Sequence, residues 1–300
     1  EDAKKEDPKQ TDTPQSDVKK GGGSISEENL KEGEYYLAVY GITGETISLK
    51  HKPKVAASVQ KLQDDTKSQE LLWKRWVELI PSKYWPDLKE FRVNTDGPAD
   101  TIAEVLTLTF DDEGKEISIS NNNPPSFALN IDYQDGIVYG KLNPEITGTL
   151  IHEFGHYVGL HSSQMDYKDF LKIAMEAAHS GDMDLAYYYK VCKPEYPSNN
   201  ACFKETSYVN KFFAAFWKGA VFDAYLAIEK EQDPKKYKEK DEAFVRTYRN
   251  QFPNEYAMSS VDEDFAESFR IFVEEDKPTG SSVLEKKIVF FHQFPALVAM

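Results

Sequence analysis

Two histidines four positions apart, with a glutamate directly after the first, are the residues of this sequence best suited to chemistry. They lie in the segment Leu150-Ile-His-Glu-Phe-Gly-His156. Each residue of an α-helix advances about 100° around the axis, so residues four apart lie on one face. On a helix, His152 and His156 can therefore direct ring nitrogens at one ion, with Glu153 beside them. The pattern predicts a metal site with a carboxylate base next to it.

The pattern His-Glu-x-x-His is that of zinc hydrolases, in which the glutamate acts as general base. Catalytic zinc sites use three protein ligands and leave one position open. His161 is the nearest further histidine, but on a continued helix it is rotated by about 140° from His156. In the metzincin pattern the helix breaks between such residues, at Gly159 here, but the third histidine comes six positions after the second, where this chain has Ser162. We therefore expect His161 to lie outside the site.

Glu263 and Glu267 are the stronger candidates for a third ligand. They are four positions apart, so their carboxylates share one face of a helix. One of them can bind the ion while the other accepts a hydrogen bond from a ligand histidine and fixes its tautomer. The spacing leaves open which glutamate has which role. Ser260 can also form a capping box with Glu263, which is an ordinary structural reason for a glutamate there.

These residues together carry a resemblance to a known family. His-Glu-Phe-Gly-His, followed far downstream by Tyr256 and then by Glu263 within Glu-x-Phe-Ala-Glu-x-Phe, resembles the gluzincin metallopeptidases. Within that family the similarity is to the anthrax lethal factor catalytic domain and related secreted bacterial peptidases. It covers the two motifs and the strand before the first. The segment between His156 and Glu263 is much longer than in that family, so substrate specificity does not carry over.

The resemblance implies a zincin-like fold and one catalytic Zn²⁺. The metal ligands it implies are His152, His156 and Glu263. It also implies Glu153 as the base, the Tyr256 hydroxyl as donor to the oxyanion, and Glu267 as hydrogen-bond partner of a ligand histidine.

The function predicted from these residues is that of a zinc-dependent metalloendopeptidase, which hydrolyses peptide bonds in extracellular proteins or peptides. Two alternatives are a catalytically silent zincin-fold surface protein that binds other proteins, and a metal hydrolase with a non-peptide substrate. The intact Glu153 favours an enzyme, because a pure binding protein has no need of it. An extended substrate would pair with an edge strand, which we predict at Phe127 to Tyr133.

Composition limits the partners. Of 300 residues, 40% are hydrophobic, which is enough for a packed core. The net charge of −15 argues against nucleic acid or an anionic membrane as partner. The longest apolar stretch, 212–228, is interrupted by Lys218 and Asp223, so it predicts a buried helix rather than a transmembrane segment. We expect a monomer that meets a protein or peptide substrate.

Two features bear on localisation. Residues 1–25 are polar and lack aromatics, which predicts a disordered tether like that of a mature exported protein or a lipoprotein trimmed of its anchoring cysteine. We therefore expect an extracellular bacterial protein, either secreted or held at the cell surface. In an oxidising compartment Cys192 and Cys202 would form a disulfide that stabilises the fold by about 3 kcal/mol. Otherwise they are two separate buried thiols.

The order of predicted elements indicates an α+β fold. A zincin subdomain over 26–161 contains a helix that Pro81 ends, a small mixed sheet, and the histidine helix, which Asn143 caps. A mostly helical subdomain follows over 162–300, with one long apolar helix at Tyr208 to Ile228. Gly155 and Gly159 each cost the histidine helix about 1 kcal/mol relative to alanine. They indicate close approach of another element, although a tolerated glycine is an equally simple explanation.

Overall fold

The computed structural model describes residues 35–96, 101–108, 115, 117–168, 185–198 and 201–300. Within these residues a five-stranded mixed sheet comes first and a mostly helical part follows, so the predicted α+β class is confirmed. The tether predicted for 1–25 lies outside the described residues. No helix among the described residues is long and apolar enough to cross a membrane.

The sheet runs in the order β2-β1-β3-β5-β4. Its strands are β1 (Tyr35–Thr43), β2 (Thr46–His51), β3 (Leu88–Thr95), β4 (Ala103–Thr107) and β5 (Phe127–Asp132). Strands β3 and β5 pair in parallel, while the other neighbours pair antiparallel. Strands β4 and β2 therefore form the two edges of this sheet, as far as the structure describes the chain.

The prediction that Phe127 to Tyr133 is an edge strand is wrong. Strand β5 lies between β3 and β4, and all six of its residues are buried. The alternation of apolar and polar residues suggested one solvated face. Both polar members are buried instead, and each makes hydrogen bonds inside the protein. Asn130 donates to Glu104 on β4, and Asp132 accepts from three backbone N–H groups.

Four helices and a small hairpin accompany the sheet. They are α1 (Gln60–Asp64), α2 (Thr66–Leu79), α3 (Tyr133–Gly136), α4 (Ile146–Leu160), and the hairpin of β6 (Ile137–Val138) and β7 (Lys141–Leu142). Helix α2 ends just before Pro81, as predicted. Helix α4 begins later than predicted. Its N-cap, Glu145, has no side-chain cap hydrogen bond, whereas Asn143 accepts from the Glu145 N–H in the preceding turn.

The second part of the chain is built mainly from helices. They are α5 (Leu185–Cys192), α6 (Tyr208–Phe216), α7 (Ala220–Glu229), α8 (Pro234–Tyr248), α9 (Val261–Glu274), α10 (Val283–Phe291) and α11 (Pro295–Val298). The 3-10 turns of the described chain are Ser82–Tyr84, Arg249–Gln251 and Tyr256–Met258. A small sheet also lies here, formed by β8 (Met165–Asp166), β9 (Pro197–Ser198) and β10 (Ala201–Phe203).

Two predictions for the helical part had different outcomes. The continuous helix predicted over Tyr208 to Ile228 is wrong, because the chain breaks between α6 and α7 at Gly219. This glycine has φ 102° and ψ −134°, a conformation open essentially to glycine alone. The predicted disulfide between Cys192 and Cys202 is confirmed, with an S–S distance of 2.02 Å. It joins the end of α5 to β10.

Helix α4 packs between the two parts of the fold. The Phe154 ring lies 6.1 Å from the Trp76 ring on α2 and 6.0 Å from the Phe269 ring on α9. A Cβ added at Gly155 would lie 3.0 Å from the backbone of Ala266 on α9. The close approach that the glycines indicated is confirmed. Buried hydrophobic residues of both parts accordingly join in one core cluster.

Candidate metal centre

Helix α4 brings the two motif histidines together, as their spacing predicts. The Nε2 atoms of His152 and His156 are 3.0 Å apart. His152 is 4% exposed and Glu153 is 5% exposed, so these polar groups sit inside the protein rather than on its surface. Potential ligand atoms of His152, Glu153 and His156 all lie within 4.8 Å of one another. The helix therefore presents a buried group able to hold a metal ion.

Helix α9 adds Glu263 to this group. Ser260 is its N-cap, and the Ser260 hydroxyl accepts from the Glu263 N–H at 3.0 Å. Glu263, whose backbone N–H makes this capping bond, also extends its side chain toward α4. Glu263 Oε2 lies 3.1 Å from the Nε2 atoms of both His152 and His156. Two segments 107 positions apart in the chain thus meet at one point.

The three converging atoms suit a metal ion. In a tetrahedral zinc site with bonds of about 2.0 to 2.2 Å, ligand atoms lie about 3.4 Å apart. The separations here are 3.0 and 3.1 Å, so small side-chain adjustments accommodate an ion. Two imidazole nitrogens and one carboxylate oxygen are also a donor set that catalytic zinc uses.

Glu267 contacts the opposite side of His152. Its Oε1 lies 2.8 Å from His152 Nδ1, the ring nitrogen directed away from His156. Its Oε2 accepts from Asn254 Nδ2 at 2.8 Å and from Arg270 at 2.9 Å. The sequence left the roles of Glu263 and Glu267 open. In the structure Glu263 faces the pair of Nε2 atoms, and Glu267 lies behind one of the two rings.

The electrostatics of the centre favour a cation. Burial alone would lower the pKa of His152, but Glu263 and Glu267 raise it to about 10. Burial likewise opposes ionisation of Glu263, yet the two imidazoles hold its pKa well below its usual range. The two carboxylates therefore favour positive charge at the point where their oxygens meet the imidazoles. The same field favours a divalent ion at the same point.

Glu153 has the properties of a base that works near neutral pH. Burial raises the pKa of its carboxyl to about 7, although the nearby imidazoles oppose the rise. Its Oε1 lies 3.9 Å from His152 Nε2, beside the converging atoms rather than among the closest three. It can therefore reach a water held at the centre without occupying a ligand position itself.

Tyr256 lies at the open side of the centre. It begins the 3-10 turn just before α9, is 57% exposed, and has its ring 5.8 Å from the His152 ring. Partial desolvation, and then the charge of Glu263, raises the pKa of its hydroxyl well above the usual range. The ring is accessible to a ligand while the hydroxyl stays protonated. It can therefore donate a hydrogen bond there.

His161 lies outside the centre, as predicted. Helix α4 ends at Leu160, and His161 is its C-cap residue. The His161 Nε2 atom lies 3.3 Å from Asp87 Oδ2, on the side of the sheet part. Its other ring nitrogen contacts the Ser163 hydroxyl at 2.8 Å.

Two residues of the centre were missed by the sequence reasoning. Arg270 follows Glu267 by three positions, and this spacing on a helix was a usable signal for an ion pair. Asn254 gave no such signal, because it lies in a loop and reaches Glu267 only through the fold. Both hold the carboxylate that contacts His152.

A second acidic group, formed by Asp96, Asp132 and Asp135, also places its oxygens within 4.8 Å of one another. Its centre is Asp132, the N-cap of α3, which accepts from the backbone N–H groups of Gln134, Asp135 and Asp96. This group therefore has a structural reason to exist, since it begins α3 and fixes the end of β3.

Comparison of the chain with protein-family models, with curated proteins and with solved structures returns no match.

Proposed function

We propose that this protein is a zinc-dependent metalloendopeptidase. In this proposal His152, His156 and Glu263 hold the zinc ion, and Glu267 orients His152. The observation that carries the proposal is the meeting of His152 Nε2, His156 Nε2 and Glu263 Oε2 within 3.1 Å, with the buried Glu153 beside them. A glutamate in that place is what a hydrolase requires.

When bound, the zinc ion would supply Lewis acidity toward a water and toward a peptide carbonyl. Glu153 takes the proton of the water onto a carboxylate oxygen as the water attacks the carbonyl carbon. It then delivers that proton to the leaving amine. The Tyr256 hydroxyl donates to the oxygen on which negative charge develops. The exposed ring and protonated hydroxyl of Tyr256 support this role.

In this proposal an extended substrate adds to the outer edge of β4. This strand contacts α4 and is an edge strand among the strands that the structure describes, which supports β4 as the strand that a peptide would pair with. Main-chain hydrogen bonds of this kind hold a peptide without demanding one sequence. Strand β4 takes the role that the sequence analysis gave to Phe127 to Tyr133.

The disulfide between Cys192 and Cys202 supports an extracellular location, because such bonds persist in oxidising compartments. We propose that the substrates are extracellular proteins or peptides. We also retain the division at residue 161 as a proposal, with the sheet part carrying the base and the helical part carrying the third ligand.

A peptide-library digestion tests the proposed function. The purified chain, loaded with one equivalent of zinc, is incubated with mixed peptides, and the products are identified by mass spectrometry. We expect internal cleavage that a chelator abolishes and added zinc restores. The matched control is Glu153→Gln, which should keep zinc by elemental analysis and lose cleavage. Zinc binding without any cleavage would instead favour the silent surface-binding protein, and cleavage that persists in the chelator would overturn the metal mechanism.

A further inference from the structure

Asn254 joins two parts of the centre that are otherwise separate. Its side-chain amide donates through Nδ2 to Glu267 Oε2 at 2.8 Å. Its Oδ1 accepts from the backbone N–H of Ala257, also at 2.8 Å. One short side chain thus hydrogen-bonds to two different elements, helix α9 through its donor and the turn before α9 through its acceptor.

The first of these elements is helix α9, which carries the Glu267 carboxylate that contacts His152. Glu267 is 7% exposed, and its other oxygen lies 2.8 Å from His152 Nδ1. A ligand histidine depends on such a partner for its ring orientation and tautomer. The bond from Asn254 therefore fixes the plane of the Glu267 carboxylate and, through it, the His152 ring.

The second element is the 3-10 turn Tyr256–Met258. Ala257 is the middle residue of this turn and is fully buried, while Tyr256 directly before it is exposed. The bond to the Ala257 N–H occupies one of the donors that a helix start leaves unpaired. It holds the turn at the position from which the Tyr256 ring reaches to 5.8 Å from the His152 ring.

We propose that Asn254 is a positioning residue that locks the Tyr256 turn to the Glu267–His152 pair, so that the Tyr256 hydroxyl and the His152 imidazole move as one unit. The inference rests on the proposed metallopeptidase function. Its consequence is specific, because loss of Asn254 disturbs the metal ligand and the oxyanion donor together.

Arg270 provides a matched control. Like Asn254 it donates to Glu267 Oε2, at 2.9 Å, but its second partner is Glu274 at 2.7 Å rather than the Tyr256 turn. Arg270→Ala and Asn254→Ala therefore both loosen Glu267. Only Asn254→Ala also releases the turn.

The first measurement is the rate at which the zinc-loaded protein releases zinc to a chromophoric chelator. We expect Asn254→Ala and Arg270→Ala each to accelerate release by about 10-fold, the scale of one hydrogen bond to a charged acceptor. Thermal unfolding of each variant shows that the fold is intact. Release from Asn254→Ala at the wild-type rate would overturn the link to Glu267.

The second measurement is a double-mutant cycle with Tyr256→Phe, read both as zinc release and as kcat and KM for a cleaved peptide. We expect Asn254→Ala to lower kcat by about 10-fold alone and by less than about 3-fold in the Tyr256→Phe background, with KM nearly constant. For Arg270→Ala combined with Tyr256→Phe, the fold-changes of the two single variants should multiply, as they do for independent sites. If the fold-changes of Asn254→Ala and Tyr256→Phe also multiply fully, in both zinc release and kcat, the coupling is overturned.

The two readouts separate the failure of this inference from the failure of the proposed function. The zinc-release cycle needs no turnover, because it measures how tightly the ion is held. Tyr256→Phe should affect this readout because the Tyr256 hydroxyl also interacts with Glu263, a proposed ligand. If the protein binds zinc but cleaves nothing, the peptidase proposal fails, while non-multiplicative zinc release still supports Asn254 as the coupling residue. If it binds no zinc, both fail.

Discussion

Helices α4 and α9 supply the two halves of the candidate centre in different ways. On α4, the spacing of His152 and His156 along one helix is enough to bring their Nε2 atoms within 3.0 Å. On α9, the same spacing places Glu263 and Glu267 on one face but says nothing of what that face meets. The contribution of α4 is therefore local, whereas that of α9 depends on everything that positions the helix.

The far side of α9 shows what positions it. Asp264 is fully buried, and it accepts from Lys287 at 2.6 Å and from Trp217 Nε1 at 2.7 Å. Lys287 is 1% exposed and lies 3.7 Å from the centre of the Phe252 ring. Burial raises the pKa of Asp264 to about 6 and lowers that of Lys287, so each charge depends on the other. The side chains of two neighbouring residues thus point to different places: Glu263 contacts the histidines of the centre, and Asp264 contacts Lys287 and Trp217 in the core.

The variant Glu153→Gln gives the largest expected effect on the α4 side. We expect peptide cleavage to fall by about 10²- to 10⁴-fold or more, because the amide cannot take a proton, while zinc content stays at one equivalent. The measurement is kcat/KM together with elemental analysis. A variant that cleaves at the wild-type rate would remove Glu153 from the role of base.

The variant Glu263→Ala tests the α9 side. We expect zinc affinity to fall by more than about 100-fold, beyond the range seen for partners that only orient a ligand. The matched variant Glu267→Ala should weaken affinity by about 10- to 100-fold. Competition with a chelator of known affinity measures both. If Glu263→Ala keeps its zinc and Glu267→Ala does not, the two glutamates exchange roles.

The variant Lys287→Ala tests whether the buried pair anchors α9. We expect it to lower the free energy of unfolding by about 3 to 5 kcal/mol, because Asp264 is left buried without its charged partner. Chemical denaturation measures the change. The double variant Asp264→Asn with Lys287→Met should recover most of the loss. A loss as large in the double variant would show that packing rather than charge pairing holds the helix.

The variant Gly155→Ala should disturb the contact between the two helices by a smaller amount. Its Cβ would lie 3.0 Å from the Ala266 backbone, so we expect a cost of about 1 to 3 kcal/mol and faster zinc release. Gly148→Ala is the control in the same helix. The atoms nearest to its Cβ would be side-chain atoms of Glu274 and Arg270, no closer than 3.3 Å, so we expect no loss of stability and a gain of up to about 1 kcal/mol from the better helix propensity of alanine. Equal effects in both variants would contradict a role for the close approach.

Part of the fold and of the centre was predictable from the sequence because it depends on local rules. Helical periodicity gave the His152–His156 pair, and Pro81 gave the end of α2. The capping residue Ser260 gave the start of α9. The break at Gly219 and the interior position of β5 were not predictable in this way. A single glycine in an apolar run is compatible with a continuous helix. A strand with buried polar residues looks half exposed until their partners are known.

The sequence by itself determined the chemical content of the centre: two imidazoles and one carboxylate on one helix, and a pair of carboxylates on another. The tertiary structure decided how they are combined. Because Gly155 lets α9 approach closely, Glu263 reaches both Nε2 atoms and Glu267 reaches Nδ1 of His152. No rule of spacing spans the 107 positions between His156 and Glu263, since only packing of the intervening chain brings them together.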